Sequence, residues 1–289
     1  MNIGDLVVRK SYGKDVTFKI IDIKTTENGV VYTIKGINLR VLADSLEEDL
    51  ELVDEQISTE REMALNRKVN LSIKKILSTR QDINNLHRYS RPSADITNKG
   101  LTFGRPGRIL HIDGDPQYLE VCLKVYKQLG LDVVGKVIPE AEQPNQILEL
   151  VKLVKPDIVV LTGHDAVAKD VKNYTDLNSY RNSKYFVESV AKIRDYEPAY
   201  DDLVIFAGAC QSCYEAILDA GANFASSPNR VLIHCLDPVF VCEKIAYANI
   251  EKVVPIQEAL STTITGTKGI GGLQTRGKYR EGFPKSQYI

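Results

Sequence analysis

The chain has 289 residues, 43% of them hydrophobic and 26% charged, enough to bury one large core or one core with a small accessory domain. Its formal net charge is -1, which excludes a global pull toward nucleic acid or acidic lipid, so any partner must be recognised locally. The start, MNIGDLVVRK, has no basic segment followed by an apolar core, and no apolar run reaches the roughly 20 residues that span a bilayer, so the reading is a cytoplasmic protein without a membrane partner. Five cysteines, Cys122, Cys210, Cys213, Cys235 and Cys242, are odd in number and scattered through apolar contexts. That is unlike the even framework of a small secreted domain, and most are expected to be reduced.

Residues 1–53 alternate in short apolar runs, with Asn28-Gly29 as a hairpin signal, and predict a small antiparallel β-barrel or curled sheet. From Asp54 to Leu86 the pattern turns helical through Ile57, Met63, Ala64, Val69, Ile73, Ile76 and Leu77. The stretch His87 to Gly107 is rich in Pro, Gly, Ser and Asn and carries Arg88, Arg91 and Arg105; it reads as an exposed linker, so 54–107 is a helix and a flexible connection. A βα alternation follows over 108–260. Strand Arg108–Ile112 leads to Asp113-Gly114-Asp115, a helix Pro116–Leu129 closes at Gly130, and Leu131–Ile138 is a second strand. A helix Asn145–Val154, a strand Asp157–Thr162, the polar segment Ala168–Lys184, a helix to about Tyr196 and a strand Leu203–Ala207 come next. After a helix Ser212–Ala220, the run Val231–Cys235 resembles another strand and Pro238–Ala248 another helix. Such alternation predicts an α/β fold, a mainly parallel sheet flanked by helices. The segment 261–289 is glycine-rich and basic, but Gly266, Gly269, Gly271 and Gly272 do not follow a strand and open a helix, so they form no phosphate loop.

Two strand ends carry chemistry. DIVVLTGHDA ends in His164 and LVIFAGACQSCY in Cys210; if both strands are parallel, the two residues emerge at one carboxyl edge, where open α/β sheets bind ligands. Gly208 and Ala209 leave room for a substrate backbone, and a helix starting at Ser212 would place Cys210 at its amino terminus, where the thiolate is favoured. Taken singly, a cysteine after a buried strand is commonly a core residue. The spacing Cys210-Gln-Ser-Cys213 also fits a redox dithiol. A zinc site would gather Cys210, Cys213, His234 and Cys235, but neighbours in a strand point to opposite faces. His111 reads as a satisfied core histidine, His87 lies beside the linker, and His234 has no small-residue loop around it. A non-enzymatic scaffold presenting the N-terminal barrel is a third class.

A strand ending in histidine, followed by one ending in small-Ala-Cys, resembles the caspase, gingipain and clostripain group of cysteine peptidases. More closely, NIGDLVVRKSYGKDV, ILHIDGD, VLTGHDA, NSYRNSKYFVE, VIFAGACQS, GANFASSPNRV and KGIGGLQTRG resemble the YabG sporulation-specific protease family from end to end. The resemblance implies a caspase-like catalytic domain in a mother-cell enzyme of endospore-forming bacteria. It implies cleavage after arginine, in spore coat and germination proteins as substrates, with no cofactor or metal. It makes Cys210 the nucleophile and His164 the proton carrier, with Gly163 and Gly208 lining the cleft. The wider group has glycine directly after the histidine, whereas this chain has Asp165 there. The oxyanion would then be held by the Asp165 and Cys210 amides, with the Asp165 side chain turned away. Arginine recognition needs a buried carboxylate; Gly208 and Ala209 supply none, which leaves Asp113 and Asp115, with Asp165 behind them. Asp115 could equally cap the next helix. An arginine-specific enzyme with such a linker is expected to cut itself after Arg88, Arg91 or Arg105. The assembly state is not read from the sequence.

Overall fold

The computed structural model describes residues 1–27, 29–53, 55–89, 102–169, 171–286 and 288, apart from the side chains of 55–62 and 81–89. The alternating N-terminal runs form five antiparallel strands: β1 (Leu6–Arg9), β2 (Thr17–Thr26), β3 (Gly29–Gly36), β4 (Leu42–Leu46) and β5 (Leu50–Leu52). They pair in the order β4-β3-β2-β1-β5, with an irregularity in the β2–β3 register between Ile20 and Asp22. Val7, Phe18, Ile20, Tyr32, Ile34 and Leu50 are its buried side chains, the one-face alternation expected of a half-buried antiparallel sheet. A long helix, α1 (Glu55–Tyr89), follows. Ile73 and Ile76 bury it against the rest of the protein, and Arg80 pairs with Glu243 at 2.6 Å.

The βα alternation gives a second sheet of six strands: β7 (Ile109–Asp113), β8 (Val133–Val137), β9 (Ile158–Thr162), β10 (Val204–Ala207), β11 (Phe224–Ser226) and β13 (Ile270–Gly272), preceded by a short β6 (Phe103–Arg105). Its order is β13-β11-β10-β9-β7-β8, all pairs parallel except β11–β13. Helices cover both faces. On one, α2 (Pro116–Gln128) and α6 (Asp237–Tyr247) pack with α1 over Ile109, Val160, Phe206 and Phe224. On the other, α3 (Gln143–Val154), α4 (Ser183–Tyr196) and α5 (Tyr214–Asp219) cover Leu110, Ile112, Val159, Leu161 and Ile205. The strands are buried on both sides, which is why they read as continuous apolar runs rather than alternating ones.

Four sequence expectations differ from the structure. The glycine-rich stretch set apart at Ser261 supplies β13, the sixth strand; a Cβ on Gly272 would lie 2.2 Å from Asn223 O, so glycine serves close backbone approach there. Val231–Cys235 is no strand of this sheet, for Phe224–Ser226 takes that place. The helix after Cys210 opens at Tyr214, with Cys213 as its cap, so Cys210 lies four residues before the first residue of the helix and outside the reach of its first turn. The linker is shorter than its composition suggested: Arg88 is still in α1, and Arg105 is in β6, paired with β15 (Arg280–Gly282). Arg91 falls outside the described residues.

Candidate active site

Parallel pairing of β9 and β10, in register from Val204–Ile158 to Ala207–Leu161, carries His164 and Cys210 to the same carboxyl edge, as the sequence pattern predicted. Gly208 N–H continues the ladder to Leu161 O at 3.0 Å. Its φ of +108° then turns the chain, a conformation that glycine alone adopts without strain. Cys210 is 1% exposed. Its Sγ accepts from the Ile233 amide at 3.1 Å, and burial still pushes the thiol up to about 12 despite that bond. The backbone amides of Asp165 and Cys210 make no hydrogen bond among the described residues.

The His164 loop is built on a carboxylate. Glu140 Oε1 accepts from the His164 amide at 2.6 Å and lies 3.6 Å from Nδ1. Although burial opposes ionisation, these contacts hold the Glu140 carboxyl below its usual range. Gly114 and Gly163 both lie against this carboxylate, and a Cβ on either would come within 2.3 Å of Glu140 Oε1. Gly163 is therefore a packing position for the histidine loop. On the other side of the ring, Nε2 lies 3.5 Å from Asp115 Oδ2, and the Tyr118 ring centroid is 5.8 Å away. Nε2 itself has no hydrogen-bond partner among the described residues.

The Asp165 carboxylate turns away, into a set of donors: the amides of Ala166 and Asn182, at 2.9 and 2.7 Å, and the hydroxyls of Ser183 and Ser212. Asp115 is the cap of α2, accepting from the Gln117 and Tyr118 amides, and also pairs with Lys35 at 2.5 Å. Asp113 is fully buried. It accepts from Arg40 Nη1 at 2.5 Å, Thr162 Oγ1 at 2.9 Å and the Asp115 amide at 2.9 Å. Burial opposes its ionisation, but the Arg40 guanidinium outweighs that and holds the carboxyl well below the usual range. His111, on the same strand face, bonds Tyr126 OH and Thr162 Oγ1 through its two nitrogens, a satisfied core histidine.

Arg40 comes from the β3–β4 connection, and local pattern gave no sign of it, because every partner is more than 70 residues away. Tyr118, whose hydroxyl partners are also distant, was missed in the same way, and Glu140, Ser183 and Ser212 were missed because their contacts to the His164 loop cross between separate elements. His234 accepts the Leu236 amide on Nδ1, and burial, aided by Arg40, lowers it to about 4. Cys213 Sγ meets Tyr174 O at 3.6 Å, whereas Cys210 Sγ meets Ile233. All five cysteines are free thiols. No group of three or more His, Cys, Asp or Glu side chains is placed to share a metal among the described residues, and no described helix is long and apolar enough to cross a membrane.

The family model described as YabG peptidase U57 matches residues 2–284. The chain is 43% identical over 287 residues to the sporulation-specific protease YabG of Bacillus subtilis (strain 168), an alignment covering 98% of this chain and 97% of that protein. A match of that extent leaves no structural unit outside it, and the protein belongs to the YabG family of peptidases.

Proposed function

We propose that the protein is a cysteine endopeptidase of sporulation that cuts after arginine, with spore coat and germination proteins of the mother cell as substrates. The observation that carries this reading is the shared carboxyl edge of β9 and β10, which brings His164, Cys210 and the buried carboxylate of Asp113 to one side of the sheet. Cys210 Sγ attacks the scissile carbonyl to give a tetrahedral oxyanion adduct, its proton passing to His164, and the adduct becomes the thioester only as the amine leaves. The C–N bond then breaks as His164 protonates the leaving amine. Water, deprotonated by the same ring, hydrolyses the thioester and frees the thiol. The unbonded Asp165 and Cys210 amides are the donors available to the oxyanion, each worth about 3 kcal/mol of barrier. The Arg preference is assigned to Asp113, beside which Cys122 Sγ and Cys235 O complete a socket that accepts a guanidinium in the folded protein. In this reading the catalytic unit begins near residue 108, and the N-terminal sheet is an accessory module.

The test uses the full chain and a spore coat extract, with new amino termini read by mass spectrometry. Cys210→Ala and His164→Ala should each abolish cleavage after arginine while the fold persists. Full activity in either would overturn the assignment.

A further inference from the structure

Arg40 is the largest fully buried side chain in the described protein, and it is held by residues of another sheet. A buried arginine is costly unless its charge and donors are met. Here Nη1 donates to Asp113, and Nη2 lies 3.6 Å from Cys122 Sγ and 3.3 Å from Cys235 O, while the ring of Tyr118 lies 5.3 Å from the guanidinium carbon. Nε has no hydrogen-bond partner among the described residues, so the socket meets the guanidinium through its two terminal nitrogens.

The backbone around Arg40 is seated as well. The Arg40 amide donates to Ile233 O at 3.2 Å, the Cys235 amide donates to Asn38 O at 3.0 Å, and Leu39 bridges His234 in antiparallel register. This isolated antiparallel bridge uses the main-chain pairing by which an extended peptide is held while a side chain enters a pocket. The strip that receives it, Ile233–Cys235, is the one whose Ile233 amide holds Cys210 Sγ. Tyr118 OH lies 2.5 and 2.7 Å from the carbonyl oxygens of Gly36 and Leu39, and can donate its proton to either. Beyond Arg40 the chain turns sharply, with the Val41 amide bonded to Leu39 O at 2.8 Å, and runs back into β4. With this loop in place the nucleophile is sealed from solvent.

We propose that residues 38–40 are a resident ligand of the protein's own substrate cleft, with Arg40 filling the arginine socket, so that the folded chain is latent until this loop is displaced. The proposal rests on the peptidase reading above and adds its regulation. A substrate must compete with an intramolecular occupant, and its apparent affinity falls by the fraction of time the cleft is open. The loop ends are anchored by the N-terminal sheet, which keeps the local concentration of the occupant high. Lys35, ion-paired with Asp115 beside the His164 ring, is a second clasp on the same side.

The experiment compares the full-length wild type with Arg40→Ala. Two rates are followed: iodoacetamide alkylation of Cys210, located by peptide mass spectrometry, and hydrolysis of a small benzoyl-arginyl amide. Latency predicts that both rise at least tenfold in Arg40→Ala, chiefly through KM for the amide. Unchanged alkylation and unchanged KM in a folded variant would overturn the proposal. If alkylation rises but neither protein cuts any arginyl bond, the seal stands and the peptidase assignment falls. Should Arg40→Ala fail to fold, the wild type carries the test through a peptidyl-arginyl chloromethyl ketone. Its attachment to Cys210 should raise amide hydrogen exchange at residues 37–41 and leave β2 and β3 protected. Attachment with residues 37–41 still protected would overturn the proposal.

Discussion

Ser212 Oγ lies 2.9 Å from the Asp165 carboxylate, and this hydrogen bond ties the loop that bears Cys210 to the loop that bears His164. The same hydroxyl accepts from the Ala209 amide at 2.9 Å. A second tie runs from Asp165 through Ser183 Oγ to the Cys213 amide. Ser212→Ala leaves a buried amide and a buried carboxylate oxygen short of a partner, at a cost of about 1–3 kcal/mol. It should also let the two loops drift, and a displacement of about 1 Å can cost about 100-fold in rate. We expect kcat on an arginyl amide to fall by about 10- to 100-fold with KM nearly constant. A change in KM alone would remove Ser212 from this positioning role.

Asp113 carries two loads, the socket for a substrate arginine and the partner of Arg40. Asp113→Asn weakens the hold on a substrate arginine and on Arg40 alike, so the expected loss of about 100-fold in kcat/KM on arginyl substrates, a charge-assisted contact of about 3 kcal/mol, is read by comparing Arg40→Ala with and without Asp113→Asn. It also leaves the Arg40 guanidinium buried without a counter-charge, which destabilises by about 3–5 kcal/mol when one partner of a buried pair is removed. The double substitution Arg40→Met with Asp113→Asn removes both charges. It should recover most of the urea midpoint while the arginine preference stays lost. An arginine preference that survives Asp113→Asn would move the specificity acid to Asp165.

Local signals were legible wherever a residue acts within its own element. The apolar runs gave β7, β9 and β10, and the Asp-Pro pair gave the cap and first turn of α2 at Asp115 and Pro116. The signal failed where a residue's meaning depends on distant partners. Asp113 and Arg40 are 73 positions apart, and neither NLRVLADS nor ILHIDGD contains a trace of the other. Helix α5 starts late because Ser212, whose composition suits a helix, spends its hydroxyl on Ala209 and Asp165 instead. The glycines near 271 were set aside for lacking a phosphate-loop context, while their use as a close-packed edge strand became visible only with Tyr214 and Asn223 in place.

Cys213 separates the peptidase from a dithiol enzyme. Its amide is held by Ser183 Oγ and its Sγ meets the Tyr174 carbonyl at 3.6 Å, so its surroundings differ from those of Cys210. Cys213→Ser keeps a donor of nearly the same size at that carbonyl. Hydrolysis after arginine should stay within about threefold of wild type, because the serine hydroxyl at this buried position can donate to the Tyr174 carbonyl as the thiol does. Loss of hydrolysis together with loss of a reducible Cys210–Cys213 bond in mass spectra would favour the dithiol reading instead.

His234 makes the fold acid-sensitive. Its imidazole is 2% exposed, and burial, reinforced by the Arg40 charge, lowers it from 6.5 to about 4. The folded state therefore holds the neutral ring at pH values where the unfolded chain already binds the proton, so stability is complete above about 6.5 and falls as pH drops toward 4. The gap corresponds to at most about 3 kcal/mol. His111 is lowered by burial as well and acts in the same direction. The carboxyls of Asp165 and Asp237, raised by burial, act oppositely. The contribution of His234 is thus best read as a difference between proteins. Asn at this position can still accept the Leu236 amide but cannot be charged, so urea midpoints of His234→Asn should decline less than those of wild type between pH 7 and pH 5. Parallel declines would mean that His234 takes up its proton in the folded protein as readily as in the unfolded chain.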